Sequence, residues 1–341
     1  MRVNFTPEAL DELERARSEL GSPGAAIALS IDGSASLQAG LGSLAGHPHA
    51  PFYAYSVTKT ILATLAVQLA AEGVLGLDEP LRTWLPELPI HSPVTLRQAL
   101  NHTGGLPDYG GLAAYHEAVR RQPETAWTTQ RFLELVTESA LWFPPGQGWA
   151  YSNLGYLLVK QILTAATGAT PEALLAERIA VPLGLTATHF VTRRAEAAGL
   201  TPGYQSSPTG RDNIIERYDP GWVAHGVVRT TAADLTRLMG GLTGGRLVPE
   251  AWYHQMTAVV PVPGEVPAAL EPGYGLGLMA QTLPLGRVVG HNGGGPGYSV
   301  ACWSLGGTDR RLVGACMVDR DLPNAAQALL FRLFETVVAA G

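Results

Sequence analysis

Hydrophobic and polar positions along the chain change period several times, and the changes mark out its elements. Thr6-Pro7-Glu8 opens a helix, because proline is tolerated in a first helical turn, and Leu10, Leu13 and Leu20 fall on one face of that helix. Strand-like runs at 25–31 and 36–42 flank Asp32-Gly33, a dipeptide suited to a tight hairpin. From about residue 57 to 221, helical patterns alternate with Pro/Gly-rich loops such as HTGGLPDYGG and WFPPGQGWAYSN, with few strand-like runs. Strand patterns return at 275–280, 287–291, 298–304 and 312–318, before an amphipathic helix over 324–339. Strands at both ends with helices between predict a sheet closed by the two chain ends, carrying a mostly helical insertion.

Composition narrows the function classes. The 341 residues carry 23 Lys+Arg against 29 Asp+Glu; 46% are apolar and only 15% charged. Such a chain buries a substantial core, which excludes intrinsic disorder. Without a Lys/Arg block, neither nucleic acid nor an anionic membrane surface is the expected partner. Glu8, Asp11, Glu12 and Glu14 stand where a signal peptide needs an apolar core, so the expected location is cytoplasmic. The most apolar stretch, 61–77, holds Thr64, Gln68, Glu72 and two glycines and falls short of a membrane span. A turn at 306–309 sets Cys302 opposite about residues 311–313 rather than Cys316, so two buried thiols are expected instead of a disulfide.

Three clusters carry chemistry. In YSVTKTILATLAVQL, Ser56 and Lys59 are three residues apart where helical periodicity begins, so they share one face about 5–6 Å apart. Serine needs a base to become a nucleophile, and lysine serves if its proton is loosely held. Lowering a lysine pKa from about 10.4 to about 7 takes roughly 4–5 kcal/mol of preference for the neutral form. Apolar burial and the positive end of a helix dipole both act in that direction. Tyr151-Ser152-Asn153 comes after a Pro-Pro-Gly loop: the phenol is a candidate proton shuttle, and Asn153 either caps the next helix or holds lysine and substrate carbonyl. His291-Asn292-Gly293-Gly294 ends a strand, where glycines let a substrate backbone approach and an exposed N–H can donate to an oxyanion.

With these residues the sequence resembles the serine β-lactamase and penicillin-binding-protein-like hydrolases: class C β-lactamases, DD-peptidases, D-amino-acid amidases and peptidases, and β-lactamase-like esterases. LRQALNHTGGLPDY at 96–109, FPPGQGWAYSNLGYLL at 143–158, TTAADLTRLMGGL at 230–242 and YGLGLM at 274–279 extend the likeness over nearly the whole chain. The resemblance implies an α+β fold: an antiparallel five-stranded-type sheet flanked by helices (1–70 and 222–341) with an inserted all-helical domain (71–221) and the active site in the cleft between. It implies Ser56 as nucleophile, Lys59 as its activator and Tyr151 as general base and acid. Asn153, His291 and Gly293 then position substrate, and the backbone N–H groups of Ser56 and Gly294 form the oxyanion hole. One departure bears on substrate. Many relatives have Lys-Thr-Gly where this chain has His291-Asn292-Gly293, and a histidine largely neutral near pH 7 recognises a β-lactam carboxylate less well.

Other patterns lack their structural context. Ser299 enters a strand rather than a strand-to-helix elbow, and the glycines at 293–297 precede a strand rather than a helix. His47-Pro48-His49 has no ligand cluster beside it, while His102 is placed to brace a loop next to the site. The expectation is therefore a serine hydrolase, without cofactor or metal, that cleaves small esters through a covalent acyl-enzyme. A D-amino-acid peptidase or amidase, or a DD-carboxypeptidase-like enzyme, is the close alternative, then a weak β-lactamase, and a penicillin-sensor-like binding protein without turnover is the rival from another class. The partner is a small ester or amide; oligomeric state is left open.

Overall fold

A computed structural model of the chain describes residues 7–205, 212–264, 270–306 and 310–339. In chain order the helices are α1 (Pro7–Glu19), α2 (Thr58–Ala71), α3 (Leu96–Leu100), α4 (Ala113–Arg121), α5 (Thr129–Leu133), α6 (Asn153–Thr167), α7 (Pro171–Leu175), α8 (Val181–Leu183), α9 (Ala232–Thr243), α10 (Glu250–Thr257) and α11 (Ala325–Ala339). The strands are β1 (Gly24–Ile31), β2 (Ser34–Gly42), β3 (Phe52–Tyr53), β4 (His189–Val191), β5 (Val227–Thr230), β6 (Val260–Pro261), β7 (Gly273–Tyr274), β8 (Met279–Leu283), β9 (Gly286–Gly295), β10 (Tyr298–Leu305) and β11 (Leu312–Val318).

Eight strands form one antiparallel sheet in the order β2-β1-β11-β10-β9-β8-β7-β6, so the N-terminal hairpin closes against the C-terminal strand. This is the mixed α/β architecture with a mainly antiparallel sheet expected from the sequence. Its five long strands are β2, β1, β11, β10 and β9; the short β8, β7 and β6 extend it at one edge. The Asp32-Gly33 hairpin is present, with left-handed φ of 51° and 84° at the two residues, as a two-residue turn requires. The strand expected at 275–280 is instead a turn followed by β8. Gly275 N–H bonds to the Leu278 carbonyl, Gly277 has φ 70°, and its carbonyl accepts the Thr60 hydroxyl at 2.7 Å, docking the turn on α2. Thr6, the expected helix start, lies outside the described residues; Leu20, expected on the apolar face, comes after the end of α1 and is exposed.

Two apolar clusters lie on opposite faces of the sheet. One joins Leu13 of α1 and Leu329, Leu333 and Phe334 of α11 to sheet residues such as Ile27, Trp303 and Cys316. The other packs α9, α2 and α6 against the second face and runs without interruption into the helices of the middle section. The cysteine register differs from the expected one: Cys302 lies opposite Ala315, and Cys316 opposite Ala301. Side chains alternate across a strand, so Cys302 enters one cluster and Cys316 the other, and both are free thiols. Of the turn that sets this register, 307–309 lie outside the described residues. Among the described residues no helix is long and apolar enough to cross a membrane. The apolar run that raised the question is α2, with twelve of its fourteen residues buried in the core.

Candidate active site

Ser56 sits in a short turn held from three sides. The Ala54 N–H donates to the Val228 carbonyl at 2.8 Å, and the chain then makes a single 3₁₀ turn, Tyr55–Val57, ahead of α2. Helical backbone therefore begins one step later than the periodicity implies, with Ser56 just in front of the positive end of α2. Tyr55 has φ 44°, a left-handed conformation that costs a non-glycine residue about 1–3 kcal/mol. Its hydroxyl donates to the Pro296 carbonyl, and its ring occupies the space a side chain at Gly295 would need. Val228 N–H donates to the Thr58 hydroxyl at 3.2 Å, tying the start of α2 to β5. These contacts hold the strained turn and leave Ser56 half-buried.

Lys59, in the first turn of α2, is fully buried. Its Nζ is 3.1 Å from Ser56 Oγ, 2.7 Å from Asn153 Oδ1 and 3.2 Å from His225 Nε2. Burial holds its pKa well below the ordinary lysine range, and Asp108 opposes this only in part. Asn153 is fixed by Asp108, whose Oδ1 accepts both the Asn153 backbone N–H at 3.0 Å and its Nδ2 at 2.9 Å. The amide oxygen is thereby turned to Lys59. The helix cap is not Asn153 but Ser152, whose hydroxyl accepts from Gly155 N–H and donates to the Pro107 carbonyl. Its own N–H donates to His102 Nδ1 at 3.1 Å, so His102 braces this loop.

Tyr151 is half-buried, with Lys59 Nζ 4.9 Å from its ring centroid and the His102 ring 4.4 Å away. Burial raises its pKa well above the usual phenol value; the Ser56 hydroxyl, a hydrogen-bond partner, offsets part of the rise. The pair is thus biased toward neutral amine and neutral phenol rather than ammonium and phenolate.

The third motif lies on β9, and its members divide. Gly293 touches the Ser56 turn: a Cβ there would sit 2.3 Å from the Ala54 carbonyl and 3.2 Å from the Ser56 nitrogen. Gly294 is exposed to the cleft, with nothing within 4 Å of a Cβ. His291 is fully buried, its Nε2 accepting from the Tyr274 hydroxyl at 2.8 Å and its Nδ1 bonded to the Asn292 carbonyl at 2.5 Å. Burial and then Lys59 push its pKa down to about 3, so it is neutral and engaged away from the cleft.

Ser56, Tyr151, Asn153, Gly293 and Gly294 border a cleft of about 870 Å³; Lys59 reaches Ser56 from beneath it. Phe52, Tyr53, Tyr109, Trp222 and Tyr298 are all buried core residues, and of these Tyr109 and Tyr298 also border the cleft. Tyr55, Tyr115, Tyr218 and His225 also line it and were not singled out from the sequence. Tyr115, Tyr218 and His225 come from stretches without motif character, so no local signal marked them; Tyr55, beside Ser56, and Asp108, inside HTGGLPDY, lie within quoted motifs and were the legible ones. Among the described residues no group of three or more His, Cys, Asp or Glu side chains is placed to hold a metal ion.

Known proteins resemble the chain in sequence and in fold. Over 259 residues the chain is 30% identical to penicillin-binding protein 4* of Bacillus subtilis, covering 72% of this chain and 55% of that protein. Over 156 residues it is 32% identical to esterase EstB of Burkholderia gladioli, covering 41% of this chain and 38% of that one. It therefore spans about half or less of the length of these curated relatives. A solved D-stereospecific amidohydrolase from Streptomyces sp. superposes with a TM-score of 0.83 at 28% identity, over 95% of this chain and 97% of that one. The Beta-lactamase family model matches residues 10–334, and the chain belongs to that family of hydrolases.

Proposed function

We propose that the protein hydrolyses small carboxylic esters through an acyl-enzyme on Ser56. One observation carries this reading: Lys59 Nζ, buried and biased toward the neutral amine, lies 3.1 Å from Ser56 Oγ at the floor of an open cleft. Lys59 accepts the serine proton as Oγ attacks the ester carbonyl. The carbonyl electrons move onto its oxygen, toward the N–H groups of Ser56 and Gly294. Collapse expels the alkoxide, which takes its proton from Tyr151, and the phenol is reprotonated from Lys59. Burial favours this division of labour, because a phenol with a raised pKa is a poor resting base and a suitable donor to a basic leaving group. Water then repeats the sequence on the acyl carbonyl and frees the acid.

Ester substrates are favoured over β-lactams because the cleft wall on β9 presents no lysine, and His291 is buried, neutral and bonded to Tyr274. A second reading, cleavage of D-amino-acid amides, draws on the near-complete match to the D-stereospecific amidohydrolase. Steady-state hydrolysis of p-nitrophenyl butyrate, D-alanine p-nitroanilide and nitrocefin under one set of conditions separates them. The ester is expected to have the highest kcat/KM; dominance of the D-anilide overturns ester preference in favour of the second reading. A single stoichiometric burst without turnover on all three overturns the hydrolase.

A further inference from the structure

His225 belongs to none of the three motifs, yet its only side-chain hydrogen-bond partner among the described residues is Lys59. It precedes β5, is 1% exposed and borders the cleft. Its other nitrogen, Nδ1, is buried without a partner. In the tautomer that leaves Nε2 free to accept, Nδ1 carries the ring proton; the loop-bracing His102 likewise keeps one buried nitrogen, Nε2, without a partner, so it is the contact with Lys59 that sets His225 apart.

Counting donors and acceptors around Lys59 defines its part. A neutral amine has two N–H groups and one lone pair. Asn153 Oδ1, its orientation set by Asp108, takes one N–H. If His225 Nε2 takes the second, the lone pair is left for the Ser56 hydroxyl; if Nε2 carries the proton, it caps the lone pair and Ser56 has no base. Once Lys59 has accepted the serine proton only the first arrangement is possible, because an ammonium has no lone pair. The contact then becomes charge-assisted and strengthens as the charge develops.

We propose that His225 is a positioning residue for acyl transfer, whose Nε2 accepts an N–H of Lys59, directs the lone pair at Ser56 and supports the ammonium formed as Ser56 attacks. This rests on the reading of Lys59 as the base for Ser56. The proton moves from Ser56 Oγ to Nζ as the Oγ–carbon bond forms, and His225 gains and loses none. The groups facing Lys59 are Ser56 from the turn before α2, Tyr151 and Asn153 with Asp108 behind it, His225, and the Tyr156 ring at 5.6 Å. His102 and His291 stand further off, and Lys160 acts on His225. Asp108 is the carboxylate that acts on Lys59, and substitution at His225 leaves it unaltered.

The test measures the pre-steady-state burst with p-nitrophenyl butyrate across pH for the wild type, His225→Phe and His225→Gln. Phenylalanine fills the ring volume without an acceptor; glutamine restores one through Oε1. His225→Phe is expected to slow the burst about 10- to 100-fold. It also moves the acid midpoint to lower pH by roughly one unit, because the ammonium loses more than the amine does. KM stays within about threefold, and His225→Gln returns both rate and midpoint most of the way, as acceptor replacement requires. A wild-type rate in His225→Phe, a slower rate with the midpoint unmoved or raised, or no recovery in a folded His225→Gln overturns the proposal. Where phenylalanine disturbs folding, His225→Leu against His225→Gln carries the same comparison. A burst that persists in Ser56→Ala instead overturns the acyl-enzyme reading, and where the wild type shows no burst the acid midpoint and rate are read from kcat/KM for the same ester.

Discussion

The two walls of the cleft are built on different principles. On the wall formed by the turn before α2 and the start of α6, the polar groups are side chains: Ser56, Lys59, Tyr151 and Asn153 meet there, with the lysine fully buried. On the β9 wall it is in the backbone. Gly293 brings main chain against the Ser56 turn and Gly294 lines the cleft, while the ionisable side chain, His291, is buried and held by Tyr274. Replacement on the first wall should change proton transfer; replacement on the second should change shape and stability.

Ser56→Ala sharpens the contrast most, with an expected loss of at least about 10⁴-fold in kcat for p-nitrophenyl butyrate. Next come Lys59→Ala and Tyr151→Phe, each expected to lose about 10²- to 10⁴-fold in kcat with little change in KM. Near-full turnover in Tyr151→Phe would remove it from the proton path. The Lys59 ionisation also shows without mutation. Its pKa is lowered, so the unreactive ammonium is the form below that pKa and kcat/KM rises with pH through it. Tyr151 is raised, so no falling limb from the phenol is expected below about pH 10. On the other wall, Gly293→Ala drives a Cβ against Ala54 and Ser56 and is expected to cost about 10²-fold in kcat, near what losing one oxyanion donor costs. Gly294→Ala, with open space at its Cβ, should lose at least about tenfold less than that. Smallest is Tyr274→Phe, which leaves His291 Nε2 without its donor. A stability loss of about 1–2 kcal/mol in denaturant melts, with kcat within a few-fold of wild type, is expected.

What could be read from the sequence was what local chemistry dictates. The Asp32-Gly33 turn, β11 and the helix after the Ser152 cap arise from turn residues and periodicity over a few positions. Ser56 and Lys59 were legible because a three-residue spacing determines their separation. Strand register was not: the Cys302–Cys316 relation depends on a turn whose length periodicity does not state, and the expected offset was displaced by two to four residues. Nor was the left-handed Tyr55, since nothing about tyrosine marks a residue strained by its fit against β9. His225 reaches Lys59 from 166 positions away and belongs to no motif, so only packing reveals it.

The most direct test quenches the enzyme in acid within the first turnover of p-nitrophenyl butyrate and maps the acyl group by peptide mass. One butyryl group per active chain is expected, on the peptide containing Ser56 and absent from Ser56→Ala. An enzyme that turns the ester over while its acyl group sits on another residue, or on none, would contradict it.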